Sequence, residues 1–216
     1  MNPKLFDHSI LKPDAKEAEV LAVCLEACEY QFMSVCVNSY YTSFVKDKLK
    51  GSNVKVCTVI GFPLGQQSTA AKRAETQLAV GSGADEIDMV MNIGALKDKK
   101  YSFVREDIEQ VKIACGAALL KVIIEACLLT DDEIKIACEL AKEAGADFVK
   151  TSTGFSAGGA TEADVALMRQ SVGDSIGVKA SGGIRTREDA EKMLAAGANR
   201  LGTSRTIEII RSAETQ

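Results

Sequence analysis

Gly145-Ala146-Asp147-Phe148-Val149 is the middle copy of a pattern that occurs three times. Gly83-Ala84-Asp85-Glu86-Ile87 precedes it and Gly197-Ala198-Asn199-Arg200-Leu201 follows. In each copy an Ala-rich helical stretch ends in glycine and an apolar run follows. Glycine suits the left-handed residue that closes a helix. A strand plus a helix takes roughly 25–30 residues, so successive copies stand about two such units apart. Over 216 residues the unit repeats about eight times, the number in an α/β TIM (β/α)8 barrel. Eight β-type runs fit that count: 6–11, 32–37, 54–61, 86–92, 120–127, 148–152, 176–181 and 200–204. Between them lie amphipathic segments such as 67–80, 104–115, 132–144 and 188–196. Thr130 with Glu133, Thr161 with Asp164 and Thr186 with Asp189 read as capping boxes that open helices just after strands. Strict alternation implies a parallel sheet. An open doubly wound sheet is the structural rival. It typically has fewer strands, and no early run here leads into a Gly-rich dinucleotide turn.

The bulk properties set a plain frame. The chain reads as one barrel domain over 1–216, with no linker or low-complexity tract. A hydrophobic fraction of 46% and a charged fraction of 26% are those of a soluble globular protein. Lys+Arg total 26 against 30 Asp+Glu, so no basic surplus exists to hold nucleic acid or an anionic membrane. The N-terminus lacks the apolar core of a signal peptide, and no apolar run approaches the roughly 18 residues of a membrane span. The expected address is the cytoplasm. The seven cysteines, Cys24, Cys28, Cys36, Cys57, Cys115, Cys127 and Cys138, are irregularly spaced. With His8 the single histidine, a Cys/His metal site has little to draw on, and reduced, mostly buried thiols are expected. The assembly stays open, a homodimer included.

Side chains alternate along a strand, so parity sorts them. Ile87, Met89 and Met91 share the face that packs on helices, leaving Glu86, Asp88, Val90 and Asn92 toward the axis. In the sixth run Phe148, Lys150 and Ser152 point inward, and in the seventh Lys179 and Ser181 do. Asp88 and Lys150 each stand five residues after a repeat glycine, at comparable depth toward the carboxyl ends where such barrels build active sites. Asp7, Ser9, Lys121 and Glu125 are placed to join them. Lysine is poor in a buried strand, because a desolvated ammonium is costly unless paired or neutralised. Two lysines in matched settings, Val149-Lys150-Thr151-Ser152 and Val178-Lys179-Ala180-Ser181, suggest one amine used as a nucleophile. The other's charge would discourage its protonation. The plainer alternatives are lysines reaching water at strand ends, or a buried ion network that only satisfies itself. His8, of opposite parity to Asp7 and Ser9, reads as structural.

A second signal concerns anions. Ser181-Gly182-Gly183 follows the seventh run, and Gly202-Thr203-Ser204 follows the eighth and opens the last helix. Glycines there let backbone N–H groups converge on a phosphate, and the loops after strands seven and eight are its frequent seat in these barrels. Gly154, Gly182, Gly183, Gly202 and Ser204 are the expected phosphate residues. Arg185 and Arg187 are placed to assist the anion, although charges at a loop exit are usually just solvated.

Together these residues resemble the deoxyribose-phosphate aldolases, a class I, Schiff-base family. The likeness is carried by Glu86-Ile87-Asp88-Met89-Val90-Met91-Asn92-Ile93-Gly94, Lys121-Val122-Ile123-Ile124-Glu125, Phe148-Val149-Lys150-Thr151-Ser152-Thr153-Gly154-Phe155 and Val178-Lys179-Ala180-Ser181-Gly182-Gly183-Ile184-Arg185. Gly61-Phe62-Pro63-Leu64-Gly65 and Phe6-Asp7-His8 fit as well, so it covers nearly the whole chain in order. It implies a TIM barrel that cleaves 2-deoxy-D-ribose 5-phosphate to acetaldehyde and D-glyceraldehyde 3-phosphate, with no cofactor and no metal. Lys150 would form the Schiff base, with Asp88 and Lys179 handling protons. Some members end in a flexible tail whose tyrosine helps proton transfer, and Arg211-Ser212-Ala213-Glu214-Thr215-Gln216 contains none. Two rivals keep the barrel: a Schiff-base aldolase for another phospho-sugar, and a phosphate-binding isomerase or synthase without a covalent intermediate. A barrel that only binds phosphate would leave Lys150 and Asp88 without a task. Parity also turns Cys36 inward near the carboxyl end of the second run. There its thiol would lie open to an unsaturated iminium formed on Lys150 from two acetaldehydes.

Overall fold

In the computed structural model, which describes residues 1–212, eight parallel strands close into a barrel in sequence order. They are β1 Phe6–Ile10, β2 Ser34–Asn38, β3 Lys55–Ile60, β4 Glu86–Val90, β5 Leu119–Ile123, β6 Phe148–Lys150, β7 Gly177–Ser181 and β8 Arg200–Thr203. The main outer helices are α1 Glu17–Tyr30, α2 Thr42–Lys48, α3 Thr69–Gly81, α4 Ile93–Lys97, α5 Tyr101–Cys115, α6 Asp131–Glu143, α7 Glu162–Val172, α8 Arg187–Ala195 and α9 Thr206–Arg211. No helix among the described residues is long and apolar enough to cross a membrane. The tail read for its lack of tyrosine lies, from residue 213 onward, outside the described residues.

The helix ends follow from the repeat. Gly83, Gly145 and Gly197 all have left-handed backbones, with φ of 101°, 80° and 111°. Their N–H groups bond back to Val80, Lys142 and Leu194 carbonyls. Thr130 with Glu133 and Thr186 with Asp189 form reciprocal capping boxes. At α7, Thr161 accepts from the Asp164 N–H, but the Asp164 carboxylate takes the Thr161 hydroxyl rather than its backbone. The apolar core is the layer between barrel and helices, where Ile87, Met89, Val149, Val178 and Ala180 are all fully buried. Every strand differs from expectation at one end or both, and two of the larger shifts, at the end of β5 and the start of β2, have visible causes. The fifth strand stops at Ile123 because Glu125 turns to a left-handed backbone, φ 52°, and bonds the Thr153 N–H at 3.0 Å. The second starts at Ser34 because the Phe32 N–H still bonds the Ala27 carbonyl, closing α1.

Inside the barrel the register stacks the inward residues in layers, four to a layer from alternate strands. Ser34, Glu86, Phe148 and Arg200 form the floor. Asp7, Cys57, Lys121 and Lys179 lie above them, and Cys36, Asp88, Lys150 and Gly202 above those. Phe148, one strand over from Lys121 in register, lies two residues before Lys150. Strand tilt lifts Lys150 to the level of Asp88. On the floor the Phe148 ring fills the space left by Gly177, and the Arg200 guanidinium lies 5.8 Å from the ring centre. A Cβ at Gly177 would stand 2.1 Å from Phe148 Cε1. We therefore expect Gly177→Ala to destabilise the protein by about 1–3 kcal/mol, the range for overpacking a filled core. Chemical denaturation of both proteins measures it, and an unchanged midpoint would contradict this packing.

Candidate active site

Three barrel strands deliver three of the central side chains at the height set by the layers. Lys150 Nζ lies 2.8 Å from Asp88 Oδ2, and Lys179 Nζ lies 2.7 Å from the same oxygen. Asp88 is fully buried, Lys179 is 1% exposed and Lys150 is 3% exposed. The three residues expected to work together are thus in direct contact.

What surrounds them is a closed ring of alternating charge. Lys179 also meets Asp7 Oδ2 at 2.5 Å, an ion contact outside hydrogen-bond geometry. Asp7 Oδ1 accepts from Arg200 Nε at 2.8 Å and from the Ser34 hydroxyl at 2.6 Å. Arg200 Nη2 donates to Glu86 at 2.6 Å, and Glu86 Oε2 meets Lys121 Nζ at 2.6 Å. Lys121 closes the circuit on Asp88 Oδ1 at 2.8 Å. Each carboxylate sits between two cations of the ring. Lys150 stands outside it and touches it only at Asp88. Within this group four cations meet three carboxylates. Lys150 is the odd cation, and it faces the cavity.

The ring fixes its own protonation. Burial favours neutral Asp88, but Lys121, Lys150 and Lys179 outweigh it and hold the carboxyl well below the usual range. Burial is likewise overcome at Asp7, which Lys179, Lys121 and Arg200 hold ionised far into acid. At Lys179 burial opposes the charge, yet Asp7 and Asp88 hold the ammonium above an ordinary lysine. Lys121 behaves alike, Asp88 being the leading counter-charge. Lys179 is therefore a fixed cation. Its stem has room because Gly202 has no side chain, where a Cβ would stand 2.9 Å from Lys179 Cε.

Above the ring a cavity of about 470 Å³ opens at the carboxyl ends of the strands. Lys150, Lys179 and Cys36 form part of its base, and Gly154, Gly182, Gly183, Gly202 and Ser204 line its wall. Gly154, Gly182 and Gly183 all have positive φ, of 85°, 81° and 79°. Among the described residues, the lining carries Lys12, Arg185 and Arg205 besides the two lysines, and no Asp or Glu. At the rim Phe155 meets Phe62 edge-on, ring centres 5.3 Å apart. His8 lies outside, between Thr206 Oγ1 at 3.0 Å and Glu26 Oε2 at 2.8 Å, as its parity implied. Arg200 and Cys57 went unremarked in the sequence. Parity with Gly202 marks Arg200 as inward, and parity with Val59 marks Cys57, whose thiol donates to Asp88 Oδ1 at 3.2 Å.

The comparisons with known proteins agree with this geometry. Residues 4–204 match the model of the DeoC/LacD family aldolases. A deoxyribose-phosphate aldolase of Clostridium tetani is 60% identical over 208 residues, 96% of each chain. One of Clostridium novyi is 56% identical over 214 residues, covering 99% of this chain and 96% of its own. The solved tetrameric deoxyribose phosphate aldolase of Aeropyrum pernix superposes with a TM-score of 0.92 at 34% identity, over 99% of this chain and 91% of that one. With its barrel, its lysine pair and its shared carboxylate, this chain belongs to the DeoC/LacD family of aldolases.

Proposed function

We propose that Lys150 is the Schiff-base lysine of a deoxyribose-phosphate aldolase, with Asp88 and Lys179 as its proton-handling partners and the glycine turns as its phosphate seat. The enzyme cleaves 2-deoxy-D-ribose 5-phosphate reversibly to acetaldehyde and D-glyceraldehyde 3-phosphate. The observation that carries the residue assignment is the exclusion of Lys150 from the closed charge ring, at the base of a cavity lined by basic side chains.

Neutral Lys150 attacks the C1 aldehyde to give a carbinolamine, and loss of water gives the iminium. The product sizes, two carbons and three, put the cut at C2–C3 rather than C3–C4. The C3 hydroxyl loses its proton, its electrons form the new aldehyde, and the C2–C3 pair moves to the iminium as an enamine. Protonation at C2 and hydrolysis then release acetaldehyde and the free amine. Asp88, 2.8 Å from Lys150 and 2.7 Å from Lys179, suits the shuttling of these protons directly or through water. The phosphate group fits the cationic lining near Gly182 and Gly183, so binding energy far from the reacting bond orients the aldehyde. We propose the cytoplasm as its compartment, which suits seven cysteines that are all free thiols.

Borohydride added with substrate or acetaldehyde should fix a single adduct, located on Lys150 by peptide mass. Lys150→Ala should lose both adduct and cleavage. An adduct on Lys179, or none, overturns the assignment. Lys179→Leu opens the ring at its link between Asp7 and Asp88. Turnover should fall by about a hundredfold or more, with the residual adduct still on Lys150, and unimpaired turnover would remove Lys179 from the chemistry. Free deoxyribose should be used about a hundredfold less well than its 5-phosphate in kcat/KM. Gly183→Val should erase most of that gap, and equal use of both sugars by the unaltered enzyme would move the phosphate seat elsewhere.

A further inference from the structure

Two cysteines meet a carboxylate in the barrel interior at metal-binding spacing. Cys36 on β2 and Cys57 on β3 are register partners on adjacent strands, both with inward side chains. Their sulfurs and one oxygen of Asp88 all lie within 4.8 Å of one another. Cys57 Sγ and Asp88 Oδ1 are already 3.2 Å apart. A tetrahedral zinc site with Zn–S near ~2.3 Å and Zn–O near ~2.0 Å needs donor separations of roughly 3.5–3.8 Å. Small rotations of the two thiols reach that. Cys36 lines the cavity, so a small ion has a route to the group.

We propose that Cys36, Cys57 and Asp88 form an inhibitory site for one soft divalent cation of the zinc and cadmium class. The nearby lysines argue against a bare dication, but the exchange is neutral. Two thiol protons leave for solvent as one dication enters, forming two metal–sulfur bonds and one bond to Asp88 Oδ1. Two thiolates select soft metals over magnesium or calcium, which prefer all-oxygen shells. The bound ion takes the oxygen that Lys121 and Cys57 now share. Three protein ligands leave the fourth tetrahedral position open to the neutral amine of Lys150, which meets the other oxygen of Asp88 at 2.8 Å, and so the ion competes with an aldehyde for that amine. The inhibitory consequence rests on the Schiff-base reading of Lys150, whereas the binding site itself does not.

The test is titration of the metal-free full chain with cadmium, followed by its cadmium–thiolate absorption in the ultraviolet. One ion per chain should bind with the absorption of two thiolates. Acetaldehyde trapping on Lys150 should disappear at saturation and return on adding a chelator. Cys36→Ser and Cys57→Ser should each weaken cadmium binding about a hundredfold, since even groups behind metal ligands are worth roughly 10–100-fold. Cys127→Ser, an exposed thiol elsewhere, should change nothing. Binding that survives both serine variants but not Cys127→Ser would be adventitious and would overturn the site. So would the absence of thiolate absorption, or trapping unaffected at saturation. Should Cys57→Ser fail to fold, Cys36→Ser decides alone. A metal-free enzyme that fails to trap acetaldehyde would count against the Schiff-base reading instead.

Discussion

A ring of six alternating charges at the centre of the barrel is the constraint on which the site depends. Arg200, Asp7, Lys179, Asp88, Lys121 and Glu86 each meet a counter-charge on both sides. Taking single charges out of water costs several kcal/mol apiece, and an isolated pair recovers little of it. A closed ring leaves no charge with one-sided compensation, so breaking any member exposes two others. The floor layer, which supplies Arg200 and Glu86 to the ring, is shaped to hold it: the Phe148 ring lies against the Arg200 guanidinium, with Gly177 vacating the space for it. Gly202 does the same for the stem of Lys179.

The ring also tells two nearly identical lysines apart. Lys150 and Lys179 pair in register on neighbouring strands and share one oxygen of Asp88. Lys179 has a second carboxylate in Asp7 and so is locked as a cation. Among the described residues Lys150 has no second carboxylate within ion-pair distance, and it is the more exposed. A self-satisfied buried ion network and a catalytic lysine are therefore not competing descriptions here. The network satisfies itself with six members, and the seventh, Lys150, is left over for the Schiff-base role proposed for it.

The sequence carried the barrel in its glycine repeat and the inward face in its parity. It carried the depth of Asp88 and Lys150 through their equal distance from Gly83 and Gly145. The ring itself was not legible. Its closure depends on the stagger that brings Arg200 of β8 against Asp7 of β1, residues at opposite ends of the chain. Parity puts Arg200 on the correct face but cannot say which carboxylate it meets. Strand ends were lost for a related reason. Glu125 lies on a run of strand-type residues, and only its distant partner Thr153 turns it out of the strand. The double role of Gly202, wall of the cavity and room for Lys179, likewise depends on a neighbouring strand.

Charge placement outside the ring completes the selectivity. The chain carries a net charge of −4, which disfavours polyanions at its surface. Yet among the described residues the cavity lining holds five basic residues and no acidic one, so a small anion there meets a local field opposite to the global one. Two of those cations are partly spoken for at the rim, Lys12 by Glu19 at 2.6 Å and Arg205 by Glu208 at 3.5 Å. Lys179 is held by the ring below. On the proposed phosphate seat, much of the task of meeting the anion passes to Arg185 and to backbone groups, a task that consecutive glycines with positive φ suit. Backbone N–H groups add no net charge to the cavity. A fixed cation in their place would add a further positive charge beside Lys150 and its counter-charge Asp88. On that proposal, turns of Gly182-Gly183 would let the cavity hold an anion without disturbing the charge balance that leaves one lysine over.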